Sequence, residues 1–246
     1  MKKNLYLPLL LLFSLVIISC SGDDEKDEIK LGKTTYTLYP LDEEQIEATS
    51  ISDITYSSAS LYHANVSNSG KITAMKVGET EITLQNAEDS KTIKVIVQPE
   101  VTLYPDPVLN FHASVSDIKK AHGEPDVEDE DVIAYENYSL HAPILMYFFS
   151  SGKLQIVVVM VKTAKSSELG THLVERYNYL GEIDNELYFI NALKYDDATL
   201  SARASLYNLN YWMVEYISIT NNTRTTEERA ITNEKIRKTL ERMGKE

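Results

Sequence analysis

The chain has 246 residues, 43% of them hydrophobic and 25% charged, with a net charge of −13 and one cysteine. That length suits one or two domains, and the composition excludes global disorder. The negative balance repels phosphate backbones and excludes nucleic acid as a partner, while a single cysteine excludes an internal disulfide and a cysteine-based zinc site.

Residues 1–19, MKKNLYLPLLLLFSLVIIS, place Lys2 and Lys3 before an apolar run from Leu5 to Ile18. A charged start and a short greasy core are the marks of a secretory leader, and the run is shorter than the roughly 20 residues a membrane span needs. Loss of the leader takes the net charge to about −15, because both lysines go with it. Ile17, Ile18 and Ser19 precede Cys20. The stretch resembles the bacterial lipobox, with Ile18 bulkier than usual at its position. The resemblance implies diacylation of Cys20, cleavage before it, palmitate-type acylation of the new amino terminus, and a membrane partner held through lipid. Each buried methylene contributes about 0.8 kcal/mol, so two or more chains make a durable anchor. The following SGDDEKDE resembles the acidic export signal of certain Gram-negative outer-membrane lipoproteins, which implies the cell surface. Read from its residues alone, 20–28 is a solvated acidic tether.

From residue 29 to 98 short alternating runs are broken by polar turns: TTYTLY (34–39), QIEAT (45–49), DITYS (53–57), YHANV (62–66), KITAMK (71–76), TEITLQ (80–85) and TIKVIV (92–97). Seven such runs predict a β-sandwich, and the period-2 alternation of Ile82 and Leu84 or Ile93, Val95 and Val97 marks one buried face. Gly70 and Gly78 sit at expected turns. ITYSSASLYHANVSNSGKITAMKVGETEITL resembles the group 2 bacterial immunoglobulin-like domain. The residues that carry the likeness are Tyr56 with Ser57 and Ser58, Ala64, Val66, Gly70 with Ile72 and Ala74, and Gly78 with Ile82 and Thr83. Tyr56 stands where that family usually has tryptophan. The resemblance implies a stalk or adhesion module without enzymatic activity.

Pro99, Pro105 and Pro107 mark residues 99–108 as a stiff connector. A second domain, 109–220, opens with a short helix over 114–123, capped by Ser114 or Ser116 and stopped by Gly123 and Pro125. Strands follow at 132–137, 144–150 and 154–163, the last two forming a hairpin around Gly152. A longer helix is predicted over 166–180 from Leu169, Leu173, Tyr177 and Leu180. Three more strands are expected at 186–193, 199–207 and 210–219, with Asn208–Asn210 as a turn. The order helix-then-meander occurs twice, which predicts a tandem repeat in an α+β layer: an antiparallel sheet with its helices on one face. The first unit faintly resembles barrel-assembly accessory lipoproteins and the tandem β-lactamase-inhibitor fold. Residues 221–246 read as a loosely packed terminal helix or tail, opened by a capping-box pattern from Thr225 to Glu228.

Chemistry is sparse. The histidines (His63, His112, His122, His141 and His172) show no helical zinc spacing and read as surface or turn residues, and nucleophile elbows, P-loops and dinucleotide glycines are missing, so neither a cofactor nor a catalytic residue is expected. The run EPDVEDEDV offers Asp126, Glu128, Asp129, Glu130 and Asp131 as weak calcium candidates without an EF-hand pattern. Tyr188, Tyr195, Tyr211 and Trp212 are candidate binding aromatics for a sugar or a protein, set against ordinary core filling. The whole predicts a non-enzymatic surface lipoprotein whose Ig-like spacer presents an α+β domain to a protein or glycan. The alternative is a periplasm-facing accessory or inhibitor protein that docks an envelope complex.

Overall fold

The computed structural model describes residues 26–219 and 226–245. The expected leader at residues 1–19, Cys20 and Thr225 lie outside them. Nine strands make the first unit: β1 (Lys30–Leu31), β2 (Thr35–Leu38), β3 (Glu43–Gln45), β4 (Ala48–Thr49), β5 (Thr55–Ser58), β6 (Ala64–Val66), β7 (Lys71–Ala74), β8 (Gly78–Gln85) and β9 (Ser90–Val97). A four-stranded sheet, β2-β9-β8-β5, and a three-stranded sheet, β3-β7-β6, share one core. Strand β2 runs parallel to β9, and the other pairs within these two sheets are antiparallel. Alternation places Tyr36, Ile82, Leu84, Ile93 and Val95 in that core opposite Ile72 and Ala74, so the unit is a β-sandwich.

Two glycines fix its turns by space as well as by conformation. A Cβ on Gly70 (φ 79°) would meet the Tyr56 ring at 2.8 Å, and one on Gly78 (φ 142°) would meet the His63 ring at 2.4 Å. The acidic tether ends inside this unit rather than before it. Asp27 is buried, and its carboxylate accepts from Ser50 Oγ (2.8 Å), Ile51 N (2.8 Å), Ser52 N (2.9 Å) and Ser52 Oγ. Those bonds, the Ser52 hydroxyl first among them, outweigh burial and hold its carboxyl at about 2.

The second unit contains α1 (Val115–His122), β10 (Val127–Glu128), β11 (Val132–Glu136), β12 (Ile144–Ser150), β13 (Lys153–Lys162), α2 (Ser166–Arg176), β14 (Asn178–Ile183), β15 (Glu186–Ile190), β16 (Leu200–Leu206), β17 (Tyr211–Ser218) and α3 (Thr226–Arg242). Its eight strands form one antiparallel sheet in the order β10-β11-β12-β13-β17-β16-β15-β14. Each helix-then-four-strand unit is a meander, and the last strand of one meander pairs with the last strand of the other, Val159 against Val214. The order therefore reads the same from both edges.

Ser114 caps α1 through a reciprocal bond pair with Asp117. The sequence extends the second helix to Leu180, but the chain turns extended at Tyr177 (φ −128°, ψ 153°) and β14 begins. The four-residue spacing of Leu169, Leu173 and Tyr177 holds only through the first two as helix. Asn178, Tyr179 and Leu180 join the sheet, where an aromatic and a bulge at Gly181 suit a strand.

The helices do not share one face. Ile118 of α1 and Leu169 and Leu173 of α2 lie over Ile133, Leu145, Val159, Phe189, Ala202 and Val214. Helix α3 lies on the opposite face, where Ile236, Leu240 and Met243 are buried on Ala134, Ile144, Met146, Val158 and Met160. The thin apolar stripe read as a loose tail is thus a core contact, because β11–β13 are apolar on both faces and need cover on both.

Residues 99–108 are not a free connector either. Leu103 and Tyr104 are buried in the α1/α2-side core, and Arg176 holds the segment through Val101 O (3.1 Å), Thr102 Oγ1 (3.4 Å) and Asp106 Oδ1 (3.3 Å). The sandwich also docks directly on the end of α2. Val77 N donates to Glu175 O (2.8 Å), Tyr62 Oη donates to Arg176 O (2.7 Å), and the Lys76 ammonium caps Val174 O at the negative end of the helix.

Candidate functional site

Helix α3 covers only one half of its face of the sheet. Beyond Met213 the same face continues across β16, β15 and β14 without a helix over it among the described residues. Alternation sends Leu200, Ala202 and Ala204 to the α1/α2-side core, so Ser201, Arg203 and Ser205 must point to the other side. A cleft of about 920 Å³ opens there. Ser205 and Met213 form its floor, Asn233, Glu234 and Arg237 of α3 one wall, and the Asp184–Asn185 turn the rim.

Its deepest feature is a chain of polar contacts. Register pairs Arg203 with Glu215 across β16 and β17, and Arg203 Nε donates to Glu215 Oε2 at 2.7 Å. Arg203 Nη1 donates to Glu186 Oε1 at 2.5 Å, and Tyr188 Oη donates to Glu186 Oε2 at 2.6 Å. Glu215 is only 3% exposed. Burial alone would lower the Arg203 pKa, but the two carboxylates, Glu215 first, overcome it and hold the guanidinium above its ordinary value. On α3, Arg237 Nη2 donates to Glu234 Oε1 at 2.8 Å. Of the charged side chains that line the cleft, Glu186, Arg203, Glu234 and Arg237 are therefore ion-paired, while Asp184 sits on the rim. Among the described residues no partner holds the side chains of Asn185, Ser205 or Asn233, which present hydrogen-bonding groups to the opening.

The structure disperses the four aromatics named from sequence. Tyr188 joins the Arg203 chain, and Tyr211 packs against the α3-side core. Trp212 lies on the other face and donates to Ser166 Oγ (2.8 Å), while Tyr195 sits exposed in a turn. The acidic run is distributed as well. Asp126 accepts from Glu136 N (2.7 Å), Glu128 pairs with Lys119 (2.7 Å), Asp129 pairs with Arg242 and Asp131 with Lys235. These carboxylates tie α1 and α3 to the first sheet edge. Among the described residues no three His, Cys, Asp or Glu side chains gather as a metal site. Cys20 lies outside the described residues.

Sequence reading missed Arg203, Glu215 and Glu186. A signal was present: with Asn208–Asn210 as the turn, Arg203 and Glu215 fall opposite each other, and opposite charges on facing strand positions attract. The reading of His172 as a surface or turn histidine is corrected as well, because it lies in α2 and is fully buried. Leu103 N donates to its Nδ1 at 3.4 Å, Tyr104 lies against its ring at 4.3 Å, and Nε2 has no partner among the described residues. Burial, with the Arg176 charge adding to it, holds its pKa down to about 3, so the imidazole is neutral and structural.

No protein-family model matches the chain, and no curated protein matches it. Among solved structures it is similar to an intimin mutant from EHEC O157:H7, at 16% identity and a TM-score of 0.26 over 40% of this chain and 68% of that one. A fragment of the surface-layer protein SbsC, domains 4–9, matches at 12% identity and a TM-score of 0.28 over 79% of this chain and 27% of that one. Human protocadherin-24 EC1-2 matches at 11% identity and a TM-score of 0.25 over 78% and 95%. Likeness at these scores carries no argument about function, which rests on the chain's own geometry.

Proposed function

We propose that this chain is a lipid-anchored envelope protein that works by binding. Acylated Cys20 attaches it to the outer membrane, the Ig-like sandwich spaces it from the lipid, and the α+β unit presents the Arg203 cleft to a protein or glycan. The one-sided cover of the sheet supports this reading: β10–β13 are closed on both faces, while β14–β16 keep a polar cleft open. Docking of the sandwich on α2 and the clamp of Arg176 on the connector suit a stiff stalk better than a hinge.

Binding rather than catalysis fits a cleft in which Glu186, Arg203, Glu234 and Arg237 are held in ion pairs. Mass spectrometry of the mature amino terminus tests the anchor. The expected mass is that of a triacylated Cys20, and an unmodified cysteine contradicts it. Protease treatment of whole cells tests the address, with cleavage expected on the outside and full protection placing the protein in the periplasm. Glycan arrays and crosslinking test the cleft. Ser205→Arg fills its floor and is expected to abolish capture of the ligand that the unaltered chain retains.

A further inference from the structure

The eight-stranded sheet has two edges of different character. Strand β10 offers two residues, and its neighbouring carboxylates Glu128, Asp129 and Asp131 are paired with cations. Strand β14 offers six residues, NYLGEI, and among the described residues no strand pairs with its outer side. Natural edges are usually blunted by lysine, proline or a covering element. Strand β14 has neither residue, although a bulge after Tyr179 shortens its regular part to Gly181–Ile183.

The backbone geometry of that part follows from its turn. Asp184 (φ 52°) and Asn185 (φ 62°) make a two-residue turn that closes on the pair Ile183 and Glu186. In such a hairpin Ile183 directs its N–H and C=O to β15, so Glu182 directs its own outward. One donor and one acceptor are thus presented to an incoming chain. The surroundings are apolar: Tyr179 is 46% exposed, Leu180 49% and Ile183 64%, and Val174, Leu193 and Tyr195 are exposed nearby in sequence. These six lie within 22 consecutive residues and make up nearly half of the thirteen large hydrophobic side chains exposed among the described residues. The charge is one-sided, since residues 178–197 carry Glu182, Asp184, Asp196 and Asp197, besides Glu186, which Arg203 holds, against a single cation, Lys194.

We infer that the β14 edge is a strand-addition site for an extended polypeptide segment in which cationic and apolar residues alternate. The outward backbone groups of Glu182 supply the ladder, Tyr179 and Ile183 flank it with apolar surface, and the carboxylates select lysine or arginine over glutamate or aspartate. A second copy of this chain fits poorly, because antiparallel pairing of β14 with itself sets Glu182 and Asp184 of each copy close to those of the other. The site adjoins the Arg203 cleft at the Asp184–Asn185 turn but uses the outer strand edge rather than the cleft floor, so Glu182→Lys and Ser205→Arg test the two separately.

The test uses the full chain in mild detergent and two blocked hexapeptides, one alternating lysine with valine and one alternating glutamate with valine. Hydrogen exchange is expected to show protection at 181–183 with the lysine peptide, and titration an affinity at least about tenfold above that of the glutamate peptide. N-methylation of alternate peptide nitrogens should remove binding, because it removes the donors of the ladder. Glu182→Lys, a change at an exposed side chain, should weaken the lysine peptide about tenfold, while Ser205→Arg should leave its affinity unchanged. Equal affinity for both peptides, no binding at millimolar peptide, protection confined to the cleft, or a dimer formed through β14 would overturn the inference.

Discussion

The two halves of the large sheet share one plan, a helix followed by a four-stranded meander, yet they are finished differently. In β10–β13 both faces are apolar, and α1 and α3 close them. In β14–β17 only the α1/α2-side face is apolar throughout. The other face carries Ser201, Arg203, Ser205 and Glu215, and an ion-paired chain stands where the first half has a helix. A strand buried on both sides must be apolar on both sides, whereas a strand that serves a binding site keeps one polar face. Duplicated architecture here yields one half as scaffold and one half as surface.

The comparison breaks most sharply at Arg203. Arg203→Ala removes the guanidinium that pairs with buried Glu215 and is expected to cost about 3–5 kcal/mol in denaturant unfolding. The double change Arg203→Met with Glu215→Leu should recover most of that loss, since it replaces the charges by apolar groups of similar size. Full destabilisation in the double variant would show that the site is held by something other than the charge pair. Next in size, Leu240→Ala removes a fully buried contact between α3 and the first half, with an expected cost of about 2–5 kcal/mol. Its exchange signature should appear in β11–β13 and spare β14–β16.

His172 gives an effect that is small near neutral pH and grows with acidity. Its folded pKa of about 3 lies below the ordinary 6.5, so the unfolded chain takes up the proton first. The contribution is complete above pH 6.5 and is lost as pH falls from there toward 3, by up to about 1.4 kcal/mol per pH unit. His172→Gln should flatten that limb of the stability profile, and an unchanged slope would refute the assignment of a buried neutral imidazole. Smallest of all, Tyr62→Phe deletes the hydroxyl bonded to Arg176 O and should cost about 1 kcal/mol, read as faster exchange where the sandwich meets α2.

Much of this was legible in the chain. Period-2 alternation located the sandwich strands, and the SGK turn located the β12–β13 hairpin, where Ser151 (φ 49°) and Gly152 (φ 72°) both take left-handed backbone. The helix-then-meander order also suggested the repeat. What escaped reading depended on neighbours distant in sequence. Tyr177–Leu180 continue a helical spacing by coincidence and become strand because β15 offers them a ladder. The stripe of Ile236, Leu240 and Met243 looks thin until the second apolar face of β11–β13 is placed beneath it. The acidic run offered only weak calcium candidates in the chain, and its partners are Lys119, Lys235 and Arg242 from two helices.

The central claim, that one half of the sheet is closed scaffold and the other an open surface, is tested most directly by native-state hydrogen exchange resolved strand by strand. Amides of β12 and β13 should exchange only with global unfolding, while those of β14 and β15 should exchange through local opening at least about a hundredfold faster. Equal protection across all eight strands would contradict the account.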